Sequence, residues 1–257
     1  MIGELDPIDV NRYDVFDAAR YDWKIAAGSC SYSYLEEDRA QGDAAKFALI
    51  EKKIENSRQS HFALLNRQFW NTSTPGTNEI TAIPFIVQVT PTNTVGGIDS
   101  GVQTWWRNKS TTATKTTTAY DNLAGAMRTI WGQTALGGDI MPPTCIVTTL
   151  THFSGYEGTQ TGLIRYMFDD NVKKGADAGF LNRAIAFKGS PIFFDEDVAD
   201  DMYFLNNKIL KFVYLRWAKL DPAVIPSDQL VNVHKLATFG NFACGARRHL
   251  GRISSIT

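Results

Sequence analysis

The sequence is short of the features that announce chemistry. Its three cysteines, Cys30, Cys145 and Cys244, are odd in number, far apart and flanked by small, hydroxylated or β-branched residues. Neither a disulfide framework nor a CxxC metal site can be built from that spacing, and buried free thiols are expected. Charge of one sign is missing too: 26 Lys and Arg stand against 27 Asp and Glu, a net charge of −1. Tight sequence-specific DNA binding draws on a concentrated basic face and is not expected of such a balance. No stretch approaches the ~18 consecutive apolar residues of a membrane-spanning helix. The longest apolar piece, 83–89, is interrupted by Pro84 and Gln88, so no membrane partner is expected. The first residues, with Glu4, Asp6 and Pro7, lack the basic and apolar regions of a secretory signal.

Catalytic constellations are equally thin. The four histidines, His61, His152, His234 and His249, form no HExxH and no i, i+4 pair, so they carry no metal-ligating signature. Gly96-Gly97 and Gly137-Gly138 are not followed by Lys-Ser/Thr or embedded in GxGxxG, and Ser154 lacks the preceding glycine of a nucleophile elbow. No cofactor is expected. Asp195, Glu196, Asp197, Asp200 and Asp201 form the one acidic concentration, and hard cations take several carboxylate oxygens. A soluble metal-dependent enzyme built on this turn is an alternative from another class, but the turn lacks the loop glycine of a calcium-binding hand, and a solvated connection is the preferred reading. Arg247, Arg248 and Arg252 form the one basic concentration, facing either nucleic acid or an acidic neighbouring subunit, or simply solvent.

What the chain does have is apolar mass, 44% hydrophobic and 12% aromatic residues, enough for a closed core. Around 13–35 the residues alternate, with Tyr21, Trp23 and Ile25 on one face and Asp22 and Lys24 on the other, the period of a strand. No second good strand precedes it, so this aromatic strand is expected to lack a partner within its own neighbourhood. Asp43, as N-cap, opens a long helix over 43–70 with Phe47, Ile50, Ile54, His61, Leu65 and Phe69 at helical spacing. A short strand over 83–90 follows, then a Thr-dominated connector over 109–118. Thr118-Ala-Tyr-Asp121 has the form of a capping box for a helix carrying Leu123, Met127, Ile130 and Trp131. A strand over 145–150 and a helix over 151–168 come next. Short strands are expected at 184–187, 191–194, 202–205 and 209–215, and one long strand over 230–256 returning to the first domain. An unpaired aromatic strand, a beam-like helix and a chain that re-enters its first domain suit a subunit that completes its bonding against copies of itself.

Several segments carry a family likeness. Ala18-Ala-Arg-Tyr-Asp-Trp-Lys24 with Leu35-Glu-Glu37, Gly96-Gly-Ile-Asp99 with Trp105-Trp-Arg-Asn108, and Asn122-Leu123 with Ile146-Val-Thr-Thr149 and Tyr156-Glu-Gly158 resemble major capsid proteins of tailed bacteriophages. So do Ala176-Asp-Ala-Gly-Phe180, Phe187-Lys-Gly-Ser-Pro191 with Asp195, Met202-Tyr-Phe-Leu-Asn206 with Lys208, and Gly240-Asn241 with Arg247-Arg248. The likeness lies in shared order and spacing over nearly the whole chain.

The resemblance implies an α+β chain with the Hong Kong 97-like capsid fold: an E-loop, a P-domain around a long spine helix, and an inserted mixed A-domain. By position, 1–34 would be a leader and the returning E-loop strand, 35–118 the first part of the P-domain with its spine helix at 43–70, 119–221 the A-domain, and 222–257 the P-domain return strand. The family pattern would place an N-terminal arm and an outgoing E-loop strand ahead of Tyr13, where this sequence supplies neither, so no cross-linking residue is carried over. The implied role is structural and not enzymatic: hexamers and pentamers of identical copies closing an icosahedral head around double-stranded DNA, assembled in the host cytoplasm. Portal, scaffolding and decoration proteins are the further partners it implies. Tyr21, Trp23 and Ile25 are the expected subunit-interface residues. An encapsulin-like nanocompartment shell is the alternative within the same fold.

Overall fold

The computed structural model of the chain describes residues 17–39, 42–113, 121–136, 141–161, 185–226, 229–254 and 256. Expectations for Tyr13, Thr118, Gly137-Gly138 and 162–184 lie outside them. In chain order the elements are β1 (Lys24–Ser33), α1 (Tyr34–Arg39), α2 (Asp43–Phe69), α3 (Ile83–Ile86), β2 (Thr94–Val95), β3 (Ile98–Asp99), β4 (Lys109–Thr112), α4 (Asp121–Thr134), β5 (Cys145–Thr148), α5 (Leu150–Thr161), β6 (Ile185–Phe187), β7 (Ser190–Phe194), β8 (Met202–Leu205), β9 (Leu210–Leu220), β10 (Val231–Cys244) and β11 (Gly251–Ser254).

The aromatic strand has a partner after all. Along its full length β1 pairs antiparallel with β10, from Lys24 opposite Gly240 to Ser33 opposite Val231. That partner comes from the far end of the chain, so local sequence could not reveal it. On its other side β10 pairs antiparallel with β9, giving a three-stranded sheet in the order β1-β10-β9. Two register shifts interrupt the β10–β9 pairing, between Ala237 and Phe239 and between Phe239 and Gly240. Ala218 sits at φ 40° inside this stretch. Each bulge inserts an unpaired residue and sharpens the local twist.

Helix α2 lies over that sheet. No Gly or Pro interrupts its 27 residues, and Ala, Leu, Glu, Lys, Arg and Gln favour the helical state. Gly42, at φ 92°, takes the N-cap position, and Asp43 is the first helical residue instead of the cap. Contact with the sheet is concentrated in the last third. There His61 Nε2 is 2.8 Å from Thr238 Oγ1, Leu65 is buried, and the Phe69 ring meets Phe212 and Phe242 at 5.0 and 4.9 Å. The helix is about 40 Å long, and Ile50 and Ile54 earlier in it are only half-buried.

The second sheet runs β4-β11-β8-β5-β7-β6. β4 is parallel to β11 and β5 to β7, and the other pairs are antiparallel. Helix α4 packs on it through Leu123, Met127 and Ile130, all fully buried, each burial removing about 2 kcal/mol worth of apolar surface from water. The approach to β11 is tight: a Cβ on Gly251 would stand 2.5 Å from Ile130 Cγ2 and 3.1 Å from Thr134 Cγ2.

Two other expectations are corrected. The strand expected over 83–90 is the short helix α3, because Pro84 has no N–H for a ladder while its fixed φ suits a first helical turn. The single strand expected over 230–256 is two strands, β10 and β11, parted by a tight 3₁₀ turn at Arg247–His249. The break lets β10 complete the small sheet and β11 enter the large one.

Two outcomes follow from this packing. Gly251→Ala should cost about 1–3 kcal/mol by overpacking against Ile130, read from denaturant unfolding. Burial holds the His61 imidazole below its usual pKa because the charged form loses hydration. The unfolded chain therefore takes up a proton near pH ~6.5 that the folded chain refuses. Stability should be full above that pH and decline as pH falls through it, and His61→Gln should flatten the difference between unfolding curves at about pH 7.5 and 5.5.

Candidate assembly surface

One face of the three-stranded sheet is covered by α2, and the other carries the alternate residues. In β1, Cys30 and Tyr32 are buried while Ile25, Ala27, Ser29 and Ser31 are exposed. The outer edges of β1 and β9 have no strand partner among the described residues. β9 breaks the in–out alternation: Val213, Tyr214, Leu215 and Trp217 are 43%, 57%, 68% and 43% exposed in one short stretch. Tyr214 and Trp217 lie 5.6 Å apart, and Phe62 of α2 stacks on Trp217 at 6.0 Å. Contiguous apolar side chains on an open edge are an association surface, since both the backbone and the rings gain by being covered. The signal was present in Leu210–Leu220 as apolar residues at adjacent rather than alternate positions, but a search for catalytic patterns passes over it.

The residues singled out from the sequence separate. Trp23 is 50% and Ile25 63% exposed. Tyr21 turns inward instead: strand geometry begins only at Lys24, so the alternation does not extend back to it. Its hydroxyl donates to the Cys244 carbonyl at 3.1 Å, and burial raises its pKa to about 12. The segment before β1 is tied to its own chain through Arg20 N–H to Gly96 O at 2.9 Å, Lys24 Nζ to Thr77 O at 2.5 Å and Asn241 Nδ2 to Asp22 O at 2.8 Å.

The basic cluster dissolves in three dimensions. Arg247 is fully buried and faces neither nucleic acid nor a neighbour. Its Nε donates to Ile86 O at 2.8 Å, Nη1 to Ser100 Oγ at 2.5 Å, and Nη2 to Asn93 Oδ1 at 3.0 Å and Asn108 Oδ1 at 3.1 Å. All four acceptors are neutral, and desolvation lowers its pKa to about 10, still charged at neutral pH. Arg252 is mostly buried and pairs with Asp201 while lying over the Tyr203 ring at 5.1 Å. Arg248 alone of the three is exposed.

Apart from Asp201, paired with Arg252, the acidic turn between β7 and β8 is held by neutral donors. Asn66 Nδ2 donates to Asp195 Oδ1 at 2.9 Å and Asp197 Oδ2 at 2.7 Å, and Trp70 Nε1 donates to Asp195 Oδ2 at 3.2 Å. Among the described residues no three His, Cys, Asp or Glu side chains gather so as to hold a metal, and no helix is long and apolar enough to cross a membrane.

Comparison of this architecture with solved structures is decisive for the fold. The chain superposes on the cyanophage A-1(L) capsid asymmetric unit with a TM-score of 0.65 at 15% identity, covering 91% of this chain and 77% of that one. The chain has the fold of a phage capsid protein. A second match is mycobacterium phage Adephagia, with a TM-score of 0.55 at 13% identity, covering 100% of this chain and 81% of that one. The chain is also similar to the SrpI encapsulin complex of Synechococcus elongatus PCC 7942, with a TM-score of 0.52 at 9% identity over 92% and 77% of the two chains. No protein-family model matches the sequence, and no curated protein does.

The arginines within this capsid fold differ sharply in what their removal should do. Arg247→Ala leaves three of the four acceptors without a donor, only Asn108 Oδ1 keeping one from Gln88 N–H, and should cost about 3 kcal/mol or more. Arg248→Ala should change stability by no more than about 0.5 kcal/mol. Thermal or denaturant unfolding of the two variants checks both.

Proposed function

We propose that this chain is a major capsid protein whose copies close into an icosahedral head around the double-stranded DNA of a tailed bacteriophage. The observation that carries the reading is the open β9 edge with Val213, Tyr214, Leu215 and Trp217 exposed on it, set in a chain whose fold matches a phage capsid subunit. A subunit of this kind does its work by geometry. Contacts that each bury ~1,600 Å², repeated around every copy, turn modest interfaces into a stable shell. DNA is retained by confinement, for which a net charge of −1 is no obstacle, and the chain is not an enzyme. The particle is the virion head, assembled in the host cytoplasm.

Within this reading α2 is the spine helix of the P-domain, with the β1-β10-β9 sheet beside it, and the segment up to residue 34 is the returning part of the E-loop; the A-domain expected at 119–221 gives up β9 to the P-domain sheet, and the return expected at 222–257 sends β11 into the sheet of the A-domain strands. Hexamers and pentamers are the assembly units, with portal, scaffolding and decoration proteins as further partners. Trp23 and Ile25 are the exposed residues by which the E-loop segment meets a neighbour. The match to an encapsulin supports a second reading, a nanocompartment shell around protein cargo. Nucleic acid or protein inside purified particles separates the two.

Electron microscopy of the purified protein should show closed particles. Trp23→Ala should leave the circular dichroism spectrum unchanged and abolish those particles, and normal particles from that variant would remove Trp23 from the interface.

A further inference from the structure

Two charged features remain without a role. The first is the turn between β7 and β8, where Asp195 and Asp197 are engaged by Asn66 and Trp70 while Glu196 and Asp200 are exposed. None of these four carboxylates has a cationic partner among the described residues. Phe193 and Phe194, just before the turn, are about half exposed. The second is a cleft of about 320 Å³ lined by Tyr21, Trp105, Lys208, Lys211 and Val213, with Asp17 also on its wall. Lys208 and Lys211 are exposed and likewise without an ion pair among the described residues. Trp105 is 44% exposed, and its indole N–H is already given to Gln103 at 2.8 Å, so what it offers a visitor is a ring face.

The two features are complementary in charge and in kind, since each sets charged groups beside exposed aromatic surface. They cannot meet within one copy. The acidic turn leads into the start of β8 at Met202, whereas Lys208 follows its end at Leu205, so the strand, roughly 13 Å long, holds them apart at opposite ends. Two different, complementary patches on one subunit define a head-to-tail contact, and a head-to-tail contact with a closing rotation makes a ring.

We propose that the Lys208/Lys211/Trp105 cleft receives the 195–200 turn of a second copy of this chain, and that this heterologous contact links neighbours within a capsomer. The inference rests on the shell reading above and names the surfaces that build its rings. The acidic turn brings one of the two phenylalanines, which lie on opposite faces of β7, to Trp105 and Val213 and the carboxylates to the lysines, while Asn66 and Trp70 keep the turn in a fixed shape before docking, which lowers the ordering cost of the contact.

Charge reversal tests it. Lys208→Glu with Lys211→Glu should lower the yield of closed particles by about tenfold or more, because like charges then oppose each other at every repeated contact. Glu196→Lys with Asp200→Lys should do the same. All four substitutions in one chain should restore particles, which also shows that the reversed chains fold. Particles from either double variant at the unaltered yield, or a quadruple variant that folds by circular dichroism and forms none, would overturn the pairing. Particles that form normally from Lys208→Glu/Lys211→Glu but lose their DNA would overturn it in favour of a nucleic-acid-facing cleft. If the unaltered chain forms no particles at all, it is the shell reading that fails and not this pairing alone.

Discussion

A guanidinium with no counter-ion among the described residues sits where the two sheets of this molecule join. Arg247 lies in the turn that takes the chain out of β10 and into β11, and its four hydrogen bonds reach α3 through Ile86, the surroundings of the β2–β3 hairpin through Asn93 and Ser100, and the approach to β4 through Asn108. A buried charge is tolerated only when dipoles replace its lost water, so the acceptors must all be in place together. Asn93 also donates to Phe85 O at 2.9 Å and Asn108 exchanges hydrogen bonds with Gln88, extending the same demand outward. The junction is therefore cooperative: displacing any of the three segments strands a charge in a dry interior.

That rigidity matters because so much of the rest is open. One face of the small sheet is covered by α2, but the β9 edge presents aromatic and aliphatic side chains to solvent, and the earlier part of α2 is only partly covered. A lone copy keeps apolar surface in water that a neighbour would cover. The locked sheet junction holds those surfaces at fixed angles to one another. The fold thus divides its labour between a well-packed joint and poorly covered flanks.

Local patterns in the sequence revealed local structure and little else. The apolar spacing of Leu123, Met127 and Ile130 marked α4, and that of Phe47, Ile50, Ile54, His61, Leu65 and Phe69 marked α2, because helices are decided by neighbours in the chain. The partner of β1 was illegible, since Val231–Cys244 lies at the other end of the sequence and pairing leaves no mark in a single chain. Pro84 was read as a flaw in an apolar run when it marked a helix start. Arg247 is the sharpest case: next to Arg248 it reads as surface charge, and only the surrounding acceptors, drawn from three separate segments, explain why one arginine goes in and its neighbour stays out. The exposed apolar surface was half legible, in Trp23 and Ile25, while the β9 residues announced themselves only once the strand was seen at an edge.

The irregular pairing of β9 with β10 has a consequence for what kind of polymer the chain can make. An even, flat ribbon with exposed rings would invite endless stacking of identical ribbons, the route to fibres. Two dislocations in eleven residues deny such stacking a regular template, so the same sticky side chains can be used for association while the backbone refuses to zip. A local defect in one strand thus weighs against infinite, straight polymers.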